Sequence, residues 1–140
     1  MRFSLSASYA LMSILLAAGS AQACAAPHPY FSELFDADAV IRGAFQKYEV
    51  LKPGYEARVT VENLETIKGN LPSGRLSIYW RRHGLSDQWK GPQDLIVALK
   101  RAPSPAGEEY EVMSGCRVQA IYRTDKYRDL ILGIIGRSSR

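Results

Sequence analysis

The stretch Ala39-Val40-Ile41-Arg42-Gly43-Ala44-Phe45-Gln46-Lys47-Tyr48-Glu49-Val50 decides how the rest of the chain is read. Within it Ile41, Gly43 and Phe45 alternate with Arg42, Ala44 and Gln46, the period of two expected of a strand with one buried face. Gly43 falls on the apolar side, and a glycine there marks a sharp coil or bulge, the means by which a long strand bends around a small barrel. Lys52-Pro53-Gly54 then turns the chain, and residues 55–67 read as a second strand of similar length. Ala57, Val59 and Val61 share one of its faces, whereas the next apolar residues, Leu64 and Ile67, break the alternation with two successive steps of three. A one-residue slip of this kind is what a β-bulge produces.

Upstream, residues 29–36 carry a brief helical pattern in Phe31, Leu34 and Phe35. Downstream, a polar loop at 68–74 leads to a third strand whose inward set is Leu76, Ile78 and Trp80, and residues 81–92, with Gly84, Gly91 and Pro92, read as a surface loop. The apolar run at 95–99 fits a strand buried on both faces. After a break at 103–107 come strands at 109–113 and 116–123, the latter with Cys116, Val118, Ala120 and Tyr122 on one side. Tyr127, Leu130, Ile131 and Ile134 then have helical spacing, with Gly136 placed as a stop, although an apolar strand fits the same residues. The expected fold is mainly β: a five-stranded OB-like antiparallel barrel with short N-terminal and C-terminal helices. A two-sheet sandwich is the competing architecture.

Residues 1–23 read as an export signal, with Arg2 at the positive end, an apolar run at 10–18 and the small residues of Ala21-Gln22-Ala23 before the cut. That run is too short to cross a bilayer and no second candidate follows, so no transmembrane helix is expected in the mature chain. The domain is then 24–136, followed by a basic tail at 137–140. The formal net charge of +4 falls to +3 when Arg2 leaves with the signal, a mild balance that does not indicate nucleic acid. Both cysteines, Cys24 and Cys116, remain. In an oxidising compartment such a pair is expected to form one disulfide, and closing so long a loop is worth about 4 kcal/mol. Two free thiols are the alternative.

A cysteine at the mature N-terminus, the segment Ala37-Asp38-Ala39-Val40-Ile41-Arg42-Gly43, a strand ending Ile67-Lys68-Gly69-Asn70-Leu71-Pro72, and the late Cys116 together resemble bacterial exported proteins related to the tissue inhibitors of metalloproteinases and to netrin-like domains. The resemblance covers most of the mature chain and implies a five-stranded OB-type barrel with flanking helices. In the inhibitor family the N-terminal cysteine chelates the protease's catalytic zinc through its free amino group and its carbonyl oxygen, while a disulfide holds its sulfur. A catalytic zinc keeps an open coordination position, and two backbone ligands on a rigid wedge displace the water there. The matching position is Cys24, with Ala25 directed at the specificity pocket and Cys116 as the disulfide anchor.

Trp80-Arg81-Arg82-His83, followed by Trp89-Lys90, gathers aromatic and cationic groups on one loop. Such a surface on an OB barrel stacks sugars and holds anionic glycans or lipid head groups. The competing reading makes Trp80 core, Arg81 and Arg82 a solvated edge, and Trp89 packing for the loop. The histidines, His28 and His83, show no metal-ligand spacing with other residues, so neither metal nor cofactor is expected. Glu109 and Glu111 alternate onto an outer strand face, and with Glu108 they read as solvated carboxylates rather than an acid and base pair. No nucleophile elbow links the serines to a histidine.

The expectation is therefore a non-catalytic binding module, periplasmic or secreted, whose partner is a zinc protease or another envelope protein. The alternative is a surface-binding module for anionic glycan or lipid head groups that uses Trp80, Arg81, Arg82 and Trp89. Cleavage before a cysteine also invites lipid attachment, which would make Cys24 a membrane anchor.

Overall fold

The period-two stretch becomes β1 (Ala39–Lys52), a 14-residue strand long enough to serve two neighbours. In the computed structural model, which describes residues 31–81, 93–105, 107–115 and 118–138, β1 pairs antiparallel with β2 (Glu56–Lys68) on one edge. Its first half pairs with β4 (Gln93–Arg101) on the other, from Ala39 opposite Leu99 to Phe45 opposite Gln93. β2 in turn carries β3 (Gly74–Arg81) along the whole of β3. β5 (Tyr110–Val112) joins β3 to β4 and closes the ring in the order β1-β2-β3-β5-β4. The result is the OB-like barrel expected, not a sandwich. Its one departure from an antiparallel sheet is the β3–β5 seam, parallel at Ile78 with Tyr110 and Tyr79 with Glu111.

The two residues of β2 at which the alternation breaks, Leu64 and Ile67, are its bulges. Arg42 faces Glu65 and Gly43 faces Asn63, which leaves Leu64 as the extra residue; Val40 faces Lys68 and Ile41 faces Thr66, which leaves Ile67. Leu64 is accordingly 51% exposed, while Ala57, Val59 and Val61 stay inside. Gly43 permits the close crossing of β1 over β2, because a Cβ there would run into the Val61 side chain.

β4 is buried on both faces, and each face has its own core. Leu95, Val97 and Leu99 point inward with Ile41, Phe45, Val59, Ile78 and Trp80. Ile96 and Ala98 point outward with Leu34, Val40, Tyr122 and Ile131. This outer cluster lies under α1 (Glu33–Asp36) and α2 (Thr124–Ser138). Lys68 Nζ donates to the carbonyl oxygens of Leu34 and Phe35 at 3.0 and 2.7 Å, capping the end of α1 with a cation.

Two expectations for the C-terminal third are corrected. The strand read at 116–123 is broken: β5 and β8 (Ile121–Arg123) both pair with β4, and the chain between them folds out as a hairpin of β6 (Ser114–Gly115) and β7 (Val118–Gln119). Met113 and Ala120 close its base, with Met113 N donating to Ala98 O, Ala98 N to Ala120 O and Ala120 N to Met113 O at 2.8–3.0 Å. β5 and β8 thus act as one strand from which a hairpin is ejected. The helix α2 runs through Gly136 to Ser138, and its packed face is Tyr127, Ile131, Ile134 and Ile135. Leu130, expected on that face, is 50% exposed, since a step of three from Tyr127 carries it past the contact line.

Candidate binding surfaces

The N-terminal corner is built from the outer core. Phe31 stacks on Tyr122 with ring centroids 5.4 Å apart and meets Tyr127 edge-on at 5.8 Å. Burial pushes the Tyr122 hydroxyl well above its usual range, so the ring is neutral packing material at ordinary pH. Phe31 and Met113 pack against the cluster that holds Ala120, so the start of the described chain and the base of the ejected hairpin share one apolar patch. Cys24, Ala25 and Cys116, which the sequence singles out, lie outside the described residues.

Of the aromatic and cationic residues at the end of β3, Trp80 follows the competing reading and belongs to the core. Trp80 is 1% exposed, edge-on to Tyr48 at 6.3 Å, and its Nε1 has no partner among the described residues. A tryptophan held among Phe45, Val59 and Val97 has no face to offer a sugar; the alternation with Leu76 and Ile78 carries it inward. Arg81 is exposed, lies 5.6 Å from the centroid of the Tyr79 ring and comes within 3.5 Å of the Glu111 carboxylate. Arg82 and Trp89 lie outside the described residues.

In the acidic run one residue, Glu108, departs from the expectation of solvated carboxylates. Glu109 is exposed and Glu111 half-buried, but Glu108 is buried and paired with Arg58 on β2 and the Ser104 hydroxyl. Burial raises the carboxyl's pKa, yet the bonds from Ser104 and Arg58 outweigh it and hold Glu108 below the usual range. This pins the loop between β4 and β5 to the barrel wall. Local alternation carries no sign of it, because the partner stands 50 positions away.

A second ionic group went unnoticed in the sequence for the same reason. Arg42 Nη2 donates to Asp94 Oδ2 at 2.6 Å, diagonally across the β1–β4 ladder, and Thr124 Oγ1 donates to Asp94 Oδ1 at 2.8 Å. The Arg42 bond and, against the effect of burial, the Thr124 bond hold the Asp94 carboxyl below its usual range. These residues line an open cleft of about 700 Å³ with Gln93, Arg123 and Asp125. Its cations are matched in place, Arg42 by Asp94 and Arg123 by Asp125, so the cleft holds the start of α2 on the barrel and presents little net field.

Among the described residues no cluster of His, Cys, Asp and Glu has the makings of a metal site, and no helix is long and apolar enough to cross a membrane. No family model, curated protein or solved structure compared with the chain matches it.

Proposed function

We propose that the chain is an exported, non-catalytic binding module that engages a zinc protease through Cys24 as its mature N-terminus, with a Cys24–Cys116 disulfide holding the terminus in place. The observation that carries this reading is the shared patch of Phe31, Met113 and Ala120. Cys116 falls between the two strands of the hairpin whose base is Met113 and Ala120. The seven steps of chain from Cys24 to Phe31 reach up to about 24 Å when extended.

With the sulfur tied, the α-amino nitrogen and carbonyl oxygen of Cys24 are the two donors that would replace water on an open zinc position. The amino group must be neutral to bind, which its ordinary pKa of about 7.7–8.0 allows near neutral pH once a cation competes for the lone pair. Ala25, a small residue, enters the protease's specificity pocket. The alternative, an anionic glycan or lipid head group on the Trp and Arg loop, is less well supported, since Trp80 belongs to the core and Arg81 already faces Glu111.

The test compares protein beginning at Cys24 with the same protein carrying one alanine before it, against a panel of zinc endopeptidases. Inhibition by the first and its loss in the second is expected. Equal inhibition by both, or none by the disulfide-bonded mature form, overturns the reading.

A further inference from the structure

The helix α2 turns toward solvent a face that its own fold does not call for. Tyr127, Ile131 and Ile135 pack on the barrel. On the opposite face Asp129, Leu130, Gly133, Gly136 and Arg137 are all exposed. Gly133, Gly136 and Arg137, with the half-buried Leu132, line an open groove of about 460 Å³.

Glycine is the poorest helix former after proline, so two of them weaken α2 unless something requires them. Neither has a positive φ, and a Cβ added at either would meet nothing within 4 Å. No turn and no described neighbour therefore calls for glycine at 133 or 136, in contrast to Gly43, where Val61 does. Leu130 stands beside them, 50% exposed. Bare helix backbone flanked by leucines is a surface that a second helix can approach closely, because the side chains at the contact set the distance between helix axes.

The charges say which helix. Asp129 and Arg137 each lie four residues from Gly133, one on either side of it in the same i, i+4 row. The Asp129 side chain is 99% exposed, with a loose contact of 3.7 Å to Arg128, and Arg137 has no ion pair among the described residues. An antiparallel copy of α2 crossing at Gly133 sets Asp129 of each chain beside Arg137 of the other, so both pairs form at once, as a two-fold interface requires. A parallel copy would set like charges together.

We propose that α2 is a self-association surface, on which a second copy of this chain packs its own α2 antiparallel across Gly133, with Leu130 and Leu132 at the crossing and an Asp129–Arg137 pair at each end. A single helix pair is smaller than a standard protein interface, so the dimer is weak and concentration-dependent. The surface uses neither Cys24 nor a protease, so it stands or falls independently of the inhibitor reading.

Sedimentation velocity of the full mature chain from about 1 to 500 μM tests this, and a dimer is expected to form within that range. Gly133→Leu fills the crossing and should weaken the dimer about tenfold or more, yet raise the melting temperature of the dilute monomer, because leucine is the better helix former and its Cβ meets open space. Asp129→Arg sets arginine against arginine and should weaken the dimer about tenfold, and adding Arg137→Asp to it should restore the wild-type affinity. A chain that stays monomeric throughout, a dimer unmoved by Gly133→Leu, or a double exchange no tighter than Asp129→Arg alone overturns the proposal. A lowered melting temperature for Gly133→Leu would show that the glycine is needed within the chain and would overturn it equally.

Discussion

The Glu108 carboxylate, buried in the loop between β4 and β5, accepts a hydrogen bond from Arg58 on β2, a residue 50 positions earlier whose side chain is 30% exposed. The pair fastens the loop between β4 and β5 across β3 to β2, and Ser104 completes it. A buried carboxylate with such partners stabilises the fold only while it is ionised.

That gives a pH dependence with a definite sign. Glu108 is held below its ordinary value of 4.5, and Asp94 below its ordinary 3.8. Their contributions are fully present above the unfolded values and are lost as pH falls through the lower, folded ones. Urea titrations should show constant stability from neutral pH down to about pH 5 and a decline below it. Glu108→Gln should be less stable by about 1–3 kcal/mol at pH 7 and should decline less steeply in acid. A variant with the wild-type acid slope would remove Glu108 from the account.

The close crossings predict a ranking of glycine replacements. Gly43→Ala forces a Cβ into the Val61 side chain, and Gly69→Ala sets one 2.5 Å from the Asp38 carbonyl oxygen at a φ of +84°. Each should cost about 1–3 kcal/mol, with Gly69 the dearer because both obstacles are backbone. Gly54→Ala, at φ +73° with open space around it, carries only the conformational cost of about 1 kcal/mol. Thermal melts of the three order them directly.

The packed face of α2 makes a second contrast. Ile131→Ala removes a fully buried side chain beneath the helix and should cost about 2–5 kcal/mol, whereas Leu130→Ala next to it should stay within about 0.5 kcal/mol. Equal effects from the two would mean that the helix is rotated from the orientation described.

Burial of Trp80 is open to spectroscopy. In a Trp89→Phe background the remaining fluorescence should be blue-shifted and shielded from acrylamide, and it should not respond to heparin or anionic vesicles. A quenchable, ligand-sensitive Trp80 would restore the aromatic surface that its position in the core removes.

Local periodicity carried most of the barrel. The alternation around Gly43 located β1, the break in alternation after Val61 pointed to a bulge where β2 has two, and the unbroken run at 95–99 marked the strand covered on two sides. Illegible features were those set by partners far along the chain. The parallel β3–β5 seam has no local period, and Glu108 looks solvated until Arg58 is brought beside it. The ejected hairpin was invisible because residues 116–123 alternate well enough to pass for one strand, while the ladder bonds at Ala98 decide otherwise. At the candidate site, Trp80 supported two opposite readings from one sequence. Its phase with Leu76 and Ile78 was the better guide than its neighbours Arg81 and Arg82.

The central claim is that Cys24 ends the mature chain with its sulfur tied to Cys116 and its amine free. The intact mass of the protein recovered from the exported fraction, without reduction, tests this most directly. The account predicts the mass of residues 24–140 less two hydrogen atoms, restored by a reductant. A chain that begins elsewhere, a fully reduced pair, or a lipid-sized addition at Cys24 would contradict it.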